Sequence, residues 1–153
     1  MIVFRLSKLK FAYDLSGKGA EISGGRWNSK GAAVIYTAES RALCVAEIAV
    51  HTGLGIVPEN YVMVTIEIPD NIKMFKVLNN DLSPDWKSIP HSGSTQLLGD
   101  ALLKENKYGV IRVQSAVVQG DFNYLINPNH PDVKNIRIVK VEEFSFDKRM
   151  FVK

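Results

Sequence analysis

The sequence predicts one α+β domain spanning residues 1–153, a mixed or antiparallel sheet with flanking helices. Three observations lead there. Strand-like segments outnumber helical ones, the two kinds do not alternate as they do in a doubly wound sheet, and no repeat or low-complexity linker divides the chain. An apolar fraction of 46% with 23% charged residues is that of a globular protein able to bury a real core, not of a disordered or fibrous one.

The elements follow in chain order. Val3-Phe4-Arg5-Leu6 reads as a first strand and Ala33-Val34-Ile35-Tyr36 as a second. Ser40–His51 is rich in helix formers, and Gly53 just beyond it suits a left-handed cap. Tyr61–Ile68 alternates, with Val62, Val64, Ile66 and Ile68 on one face, and so predicts a half-buried strand closed by Pro69-Asp70. Ile72–Leu78 is another short strand, and Asn79–Gly93 is a polar loop carrying Pro84, Trp86 and Pro90. Leu97, Leu98, Ala101 and Leu102 recur at helical spacing within Ser94–Lys104. Val110–Val118 is a largely apolar strand, Asn123–His130 reads as turn chemistry around Asn127-Pro128, and Ile136–Phe146 predicts one or two final strands.

Composition narrows the function. No apolar run is long enough to span a bilayer, and Met1-Ile2-Val3-Phe4-Arg5-Leu6 lacks a basic segment followed by an apolar stretch and a cleavage site. The one cysteine, Cys44, lies between Leu43 and Val45 and reads as a small buried hydrophobe. These features predict a cytoplasmic protein with no membrane contact. The net charge of +3 is scattered, not gathered into a stripe interleaved with aromatics, so direct nucleic-acid binding is not expected. A mild positive charge also suits a small anionic ligand such as a dinucleotide. The three histidines have no metal-ligand spacing, and no phosphate-loop, dinucleotide-fold or G-x-S-x-G motif occurs, so neither a metal nor a bound cofactor is expected.

The informative residues are those a core would not choose. Glu47 is the only charge in Ala42–Val50 and shares a helix face with Leu43, Cys44 and Val50. A carboxylate turned inward needs partners, supplied either by an arginine ion pair or by a ligand. Arg26 follows two glycines in Ser23-Gly24-Gly25-Arg26-Trp27-Asn28; Gly25 allows close backbone approach, and a guanidinium matches a diphosphate. Taken alone, Gly-Gly-Arg is an ordinary turn, Arg5 an exposed strand position, Tyr36 a rim aromatic, and Ser115 a small residue on the strand face of Ile111, Val113 and Val117.

Taken in order, these residues resemble the RES-domain family, named for Arg, Glu and Ser positions. The resemblance runs through Phe4-Arg5-Leu6, Gly19-Ala20, Gly24-Gly25-Arg26-Trp27-Asn28 with Gly31, and Ile35-Tyr36-Thr37-Ala38. It continues through Ala46-Glu47 with His51, Leu98-Gly99-Asp100, Val113-Gln114-Ser115-Ala116-Val117 and Asn123–Pro131, covering nearly the whole chain. Gln114 departs from the pattern, where Pro is expected before the Ser.

The resemblance implies an ADP-ribosyltransferase-like fold with a cleft for NAD⁺ as substrate. It further implies a toxin that depletes NAD⁺ and is silenced, in a toxin–antitoxin hetero-oligomer, by an Xre-like helix-turn-helix antitoxin. Carried over, Arg26, Glu47 and Ser115 match the name-giving positions, with Arg5 and Tyr36 as further cleft residues. On this reading Glu47 steadies an oxocarbenium-like ribose, Tyr36 stacks on nicotinamide, and Ser115 orients the site. Arg26 and Arg5 clamp the diphosphate or an inorganic phosphate co-substrate, while Gly25 and Asn127 complete the NAD⁺ contacts. Mono-ADP-ribosylation of a protein and a non-catalytic binding module are the alternatives.

Overall fold

A computed structural model describes residues 1–153. Seven strands form one sheet in the order β4-β5-β6-β2-β1-β3-β7. In chain order the elements are β1 (Ile2–Lys8), α1 (Lys18–Ser23), β2 (Ile35–Ala38), α2 (Arg41–His51) and β3 (Tyr61–Glu67). There follow β4 (Met74–Lys76), α3 (Ser94–Glu105), β5 (Val110–Gln114), β6 (Phe122–Ile126) and β7 (Arg137–Phe144). All neighbouring strands are antiparallel except β4 and β5, which are parallel and joined through α3, as a parallel pair requires a crossover. The α+β class predicted from the sequence is the one observed.

The sheet is continuous through a narrow joint. β1 pairs with β3 along seven residues, whereas β1 and β2 meet at one pair only, Phe4 opposite Ala38. Four strands (β4-β5-β6-β2) therefore form one half-sheet and three (β1-β3-β7) the other. On one face Val3, Ile35, Val62, Val64, Ile66, Val110 and Ile126 make a core shared by both halves. On the opposite face, Tyr36, Ile111, Val113 and Leu125 pack beneath Leu102 and Leu103 of α3 and Trp27. Beside them, Phe4, Leu6, Ala38 and Met63 pack beneath Leu43 and Cys44 of α2.

Several elements differ from the expectation. The alternation of Val62, Val64, Ile66 and Ile68 is kept, but β3 is buried on both faces at its centre because α2 covers Met63. Val110–Val118 stops pairing at Gln114, because Ser115 turns the chain. The predicted strand at Ile72–Leu78 shrinks to Met74–Lys76, and β2 runs later than Ala33–Tyr36. Asn123, placed in a turn on its residue types, lies in β6 between β5 and β2. α1 carried no signal, since its six residues include a glycine and have no side-chain cap.

The end of α2 is also different. The Ser40 hydroxyl caps its start by accepting from the Leu43 amide at 3.0 Å. Gly53 does not take the left-handed conformation; Thr52 leaves the helix extended, its hydroxyl donating to the Ile48 carbonyl at 2.8 Å, and Gly55 carries the positive φ.

α3 is pressed against the segment Gly25–Ser29. Gly99 lies so close to the Trp27 backbone that a Cβ would run into its carbonyl oxygen. Gly99→Ala is therefore expected to cost about 3 kcal/mol by overpacking, read from denaturant unfolding. A variant as stable as the parent would show that α3 can lift away freely.

Candidate active site

β6 leaves Asn123 and Leu125 on the face that carries Tyr36 and Ala38 of β2, with Ala38 directly opposite Asn123 and Tyr36 opposite Leu125. Tyr36 and Asn123 are thus diagonal neighbours, about 7–8 Å apart at the backbone. α2 covers the Ala38 side of this face and α3 the Leu125 side. The candidate site lies over β2 and β6, between the two helices.

Glu47 reaches it from α2. The Asn123 amide Nδ2 donates to Glu47 Oε1 at 2.8 Å, and the Ser115 hydroxyl donates to the same oxygen at 3.1 Å. Ser115 can only donate there, because its Oγ already accepts from the amides of Val117 at 3.1 Å and Val118 at 3.0 Å. Glu47 Oε1 is thereby a fixed acceptor, while Oε2 has no protein partner and opens to solvent. The alternative of a buried ion pair is not realised: Glu47 is half-buried and its partners are neutral. Val50, placed on the same inward face by the helical count, is exposed. Ser115, fully buried, stands one residue past β5 and shapes the turn toward β6, its amide donating to the Asp121 carbonyl at 2.8 Å.

Tyr36 is clasped by the Gly25–Ser29 segment. Its hydroxyl donates to Asn28 Oδ1 at 2.7 Å and accepts from the Trp27 amide at 3.1 Å. A Cβ on residue 25 would fall 2.6 Å from that hydroxyl, which explains Gly25 without appeal to a ligand. Burial above all pushes the phenol pKa well up, so Tyr36 stays neutral and offers a ring, not a proton shuttle.

The backbone of Arg26 is gripped by α3. The Thr95 hydroxyl donates to the Arg26 carbonyl at 2.6 Å, and Gln96 donates to the carbonyls of Gly25 at 2.9 Å and Asn28 at 3.2 Å. Asp100 accepts from the Ser29 amide at 2.9 Å and hydroxyl at 2.5 Å. The guanidinium donates through Nη1 to the carbonyls of Trp86 at 2.7 Å and Ser88 at 3.2 Å, tying down the Asn79–Gly93 loop and leaving Nε and Nη2 free for an anion. Trp86 leans on Trp27 with ring centroids 6.2 Å apart.

Two proposed cleft residues stand apart from this cluster. Arg5 alternates with Phe4 and Leu6, which pack under α2, and so leaves β1 on the other face. Its Nη atoms donate to the carbonyls of Asp14 at 3.0 Å, Ala12 at 3.0 Å and Phe11 at 3.2 Å, and its Nε is buried without a partner. It tethers the Leu9–Ser16 segment, whose Ala12 is fully buried, and its burial lowers the guanidinium pKa. Asn127 lies four residues beyond Asn123, about 13 Å along β6. Its amide donates to the Leu103 carbonyl at 3.2 Å and Asn106 Oδ1 at 2.9 Å, and its Oδ1 accepts from the Asn129 amide at 3.1 Å. That fully buried side chain locks the end of α3, and its hydrogen bonds are made within the protein. Asn123, Thr95, Gln96 and Asp100 were not singled out from the sequence as site residues. Asn123 left a signal as an amide amid the β-formers Phe122, Tyr124 and Ile126, and Asp100 as part of the Leu98-Gly99-Asp100 element of the resemblance; Thr95 and Gln96 left none.

The description of the RES domain matches residues 2–147. The chain belongs to the RES-domain family. Among RES relatives it is 38% identical over 144 residues to the Prs ADP-ribosylating toxin of Sphingobium sp. (strain YBL2), covering 93% of this chain and 89% of that protein. It is 35% identical over 156 residues to Toxin Res of Pseudomonas putida (strain KT2440), covering 99% and 100%. The RES fold seen here is shared with the M. tuberculosis MbcT–MbcA toxin–antitoxin complex at a TM-score of 0.69 and 21% identity, over 94% of this chain and 84% of that one. No helix is long and apolar enough to cross a membrane.

Tyr36→Phe deletes the hydroxyl that serves both Asn28, itself fully buried, and the Trp27 amide. The expected cost is about 1–3 kcal/mol of unfolding free energy, since two buried groups lose their partner. Unchanged stability would mean that water replaces the hydroxyl and that the clasp is loose.

Proposed function

We propose that this RES-domain chain is the toxin of a toxin–antitoxin pair and cleaves the nicotinamide–ribose bond of NAD⁺, with water or inorganic phosphate as acceptor. The observation that carries the reading is the Glu47 carboxylate, one oxygen held by two donors and the other free, on the face of the sheet that bears Tyr36. Nicotinamide leaves as a neutral base, so the reaction needs no general acid. Its demand is stabilisation of positive charge growing on the ribose.

Glu47 Oε2 would face the ribose hydroxyls and that growing charge. The neutral Tyr36 ring would lie against the nicotinamide. The free Nε and Nη2 of Arg26 would take the diphosphate in a planar fork. As the bond to the ribose carbon breaks, its electron pair stays with the nicotinamide nitrogen. Water then gives ADP-ribose and a proton; phosphate gives ADP-ribose phosphorylated at the same carbon.

A second reading is favoured by the ADP-ribosylating toxin at 38% identity: the same bond breaks, but a protein side chain accepts the ADP-ribose. The named partner of the structural neighbour supports an antitoxin for this chain too. We propose an Xre-like helix-turn-helix protein, assembled with the chain into a hetero-oligomer in the cytoplasm.

The purified chain, freed of any partner, is expected to consume NAD⁺ and release nicotinamide, with ADP-ribose or its phosphate identified by mass. Glu47→Gln is expected to lower turnover at least about 100-fold while melting at the parent's temperature. Full turnover in that variant would remove Glu47 from the reaction. Radiolabel from adenine-labelled NAD⁺ appearing on a protein instead of in solution would establish the second reading.

A further inference from the structure

Asn123 occupies a position that folding does not ask it to fill. It lies within β6, an inner strand, with Val113 and Ala38 as its neighbours across the ladder. Asparagine is a poor strand former, and a half-buried amide among aliphatic side chains needs hydrogen-bond partners. The only one it makes through its side chain is the 2.8 Å donation to Glu47 Oε1. Valine or alanine would suit the sheet better. A residue that contradicts its local structure and touches one functional group is there for that group.

The second donor sharpens the point. Ser115 is pinned by the Val117 and Val118 amides, so its hydroxyl fixes Oε1 along one direction only. A carboxylate held at a single point on one oxygen can still swing about that contact. A second donor to the same oxygen, coming from a different strand, removes the swing and sets where Oε2 lies. We infer that Asn123 is a positioning residue for the reaction, acting through Glu47: with Ser115 it anchors one carboxylate oxygen so that the other is presented to the ribose. This rests on the NAD⁺ reading above. The consequence for substrate is an oriented single oxygen, suited to one or two ribose hydroxyls, with no room for Oε1 to act on the acceptor.

The test compares Asn123→Ala and Asn123→Asp in steady-state NAD⁺ turnover beside the unaltered chain, with melting temperatures for all three. Asn123→Ala is expected to lower kcat about 100-fold, the scale of a misplaced reacting group, with KM for NAD⁺ changed less than about 3-fold. Asn123→Asp keeps the shape but replaces the donor with a second negative charge against Oε1, so it is expected to turn over more slowly than Asn123→Ala. A packing role predicts the reverse order, because Asp fills the space and Ala does not. Both variants are expected to melt within about 4 °C of the parent, the shift of roughly 1 kcal/mol in a domain of this size. An active parent with Asn123→Ala at full kcat, or with Asp outperforming Ala, overturns the positioning role alone. Should Asn123→Asp fail to fold, the kcat-against-KM split in Asn123→Ala decides. A folded parent inert toward NAD⁺ overturns the functional reading and this inference with it.

Discussion

A carboxylate that faces a sheet must be given donors, and the strands around Glu47 are arranged to provide them. β5 ends where it does because Ser115 turns the chain and spends both lone pairs on the next amides, which leaves its proton for Oε1. β6 then returns antiparallel and brings Asn123 to the same oxygen. The end of β2 is stitched on beside them, with Glu39 accepting from the Phe122 amide at 2.8 Å. An apolar residue at position 47 would need none of this. The turn, the asparagine in the strand and the carboxylate make sense only together.

The rest of the site depends on α3, which supplies no residue to the chemistry. One helical face, Thr95, Gln96, Gly99 and Asp100, meets the backbone from Gly25 to Ser29 almost residue by residue. That backbone in turn clasps the Tyr36 hydroxyl and aims Arg26 at the 79–93 loop. The irregular path from Gly25 to Ser29 is therefore held through its backbone groups by side chains of α3 and by Tyr36, and Gly25 and Gly99 stand where no side chain would fit.

Most of the architecture was readable from the residues. β3, α2 and α3 all sit where expected. The face that α3 buries, however, is Thr95, Gly99, Leu102 and Leu103, with Leu97 and Ala101 exposed, because the helix is turned to meet the Gly25–Ser29 backbone. The failures share a cause. β6 was hidden because Asn123 and Asn127 look like turn formers, and only the tertiary partners Glu47 and Leu103 make them affordable there. Ser115 was placed on a strand face because its apolar neighbours hide the local turn that its hydroxyl makes with the amides two and three residues on. In the site, Glu47 was legible as a lone charge in an apolar helix. Its separation from Arg5 was not, since strand parity must be combined with knowledge of which face α2 covers. Asn127 was legible as unusual but not as a lock on α3, a contact made across 24 residues of chain.

The joint at Phe4 and Ala38 gives α2 a mechanical part beyond carrying Glu47. One rung of ladder resists shear poorly, so the two half-sheets are spliced mainly by what lies across them. Leu43 and Cys44 do that, packed on Phe4 and Leu6 from one half and Ala38 from the other. The carboxylate rides on the splint. Its two anchoring donors, Ser115 and Asn123, belong to the four-stranded half, so the hydrogen bonds that hold the carboxylate also fasten the helix to that half.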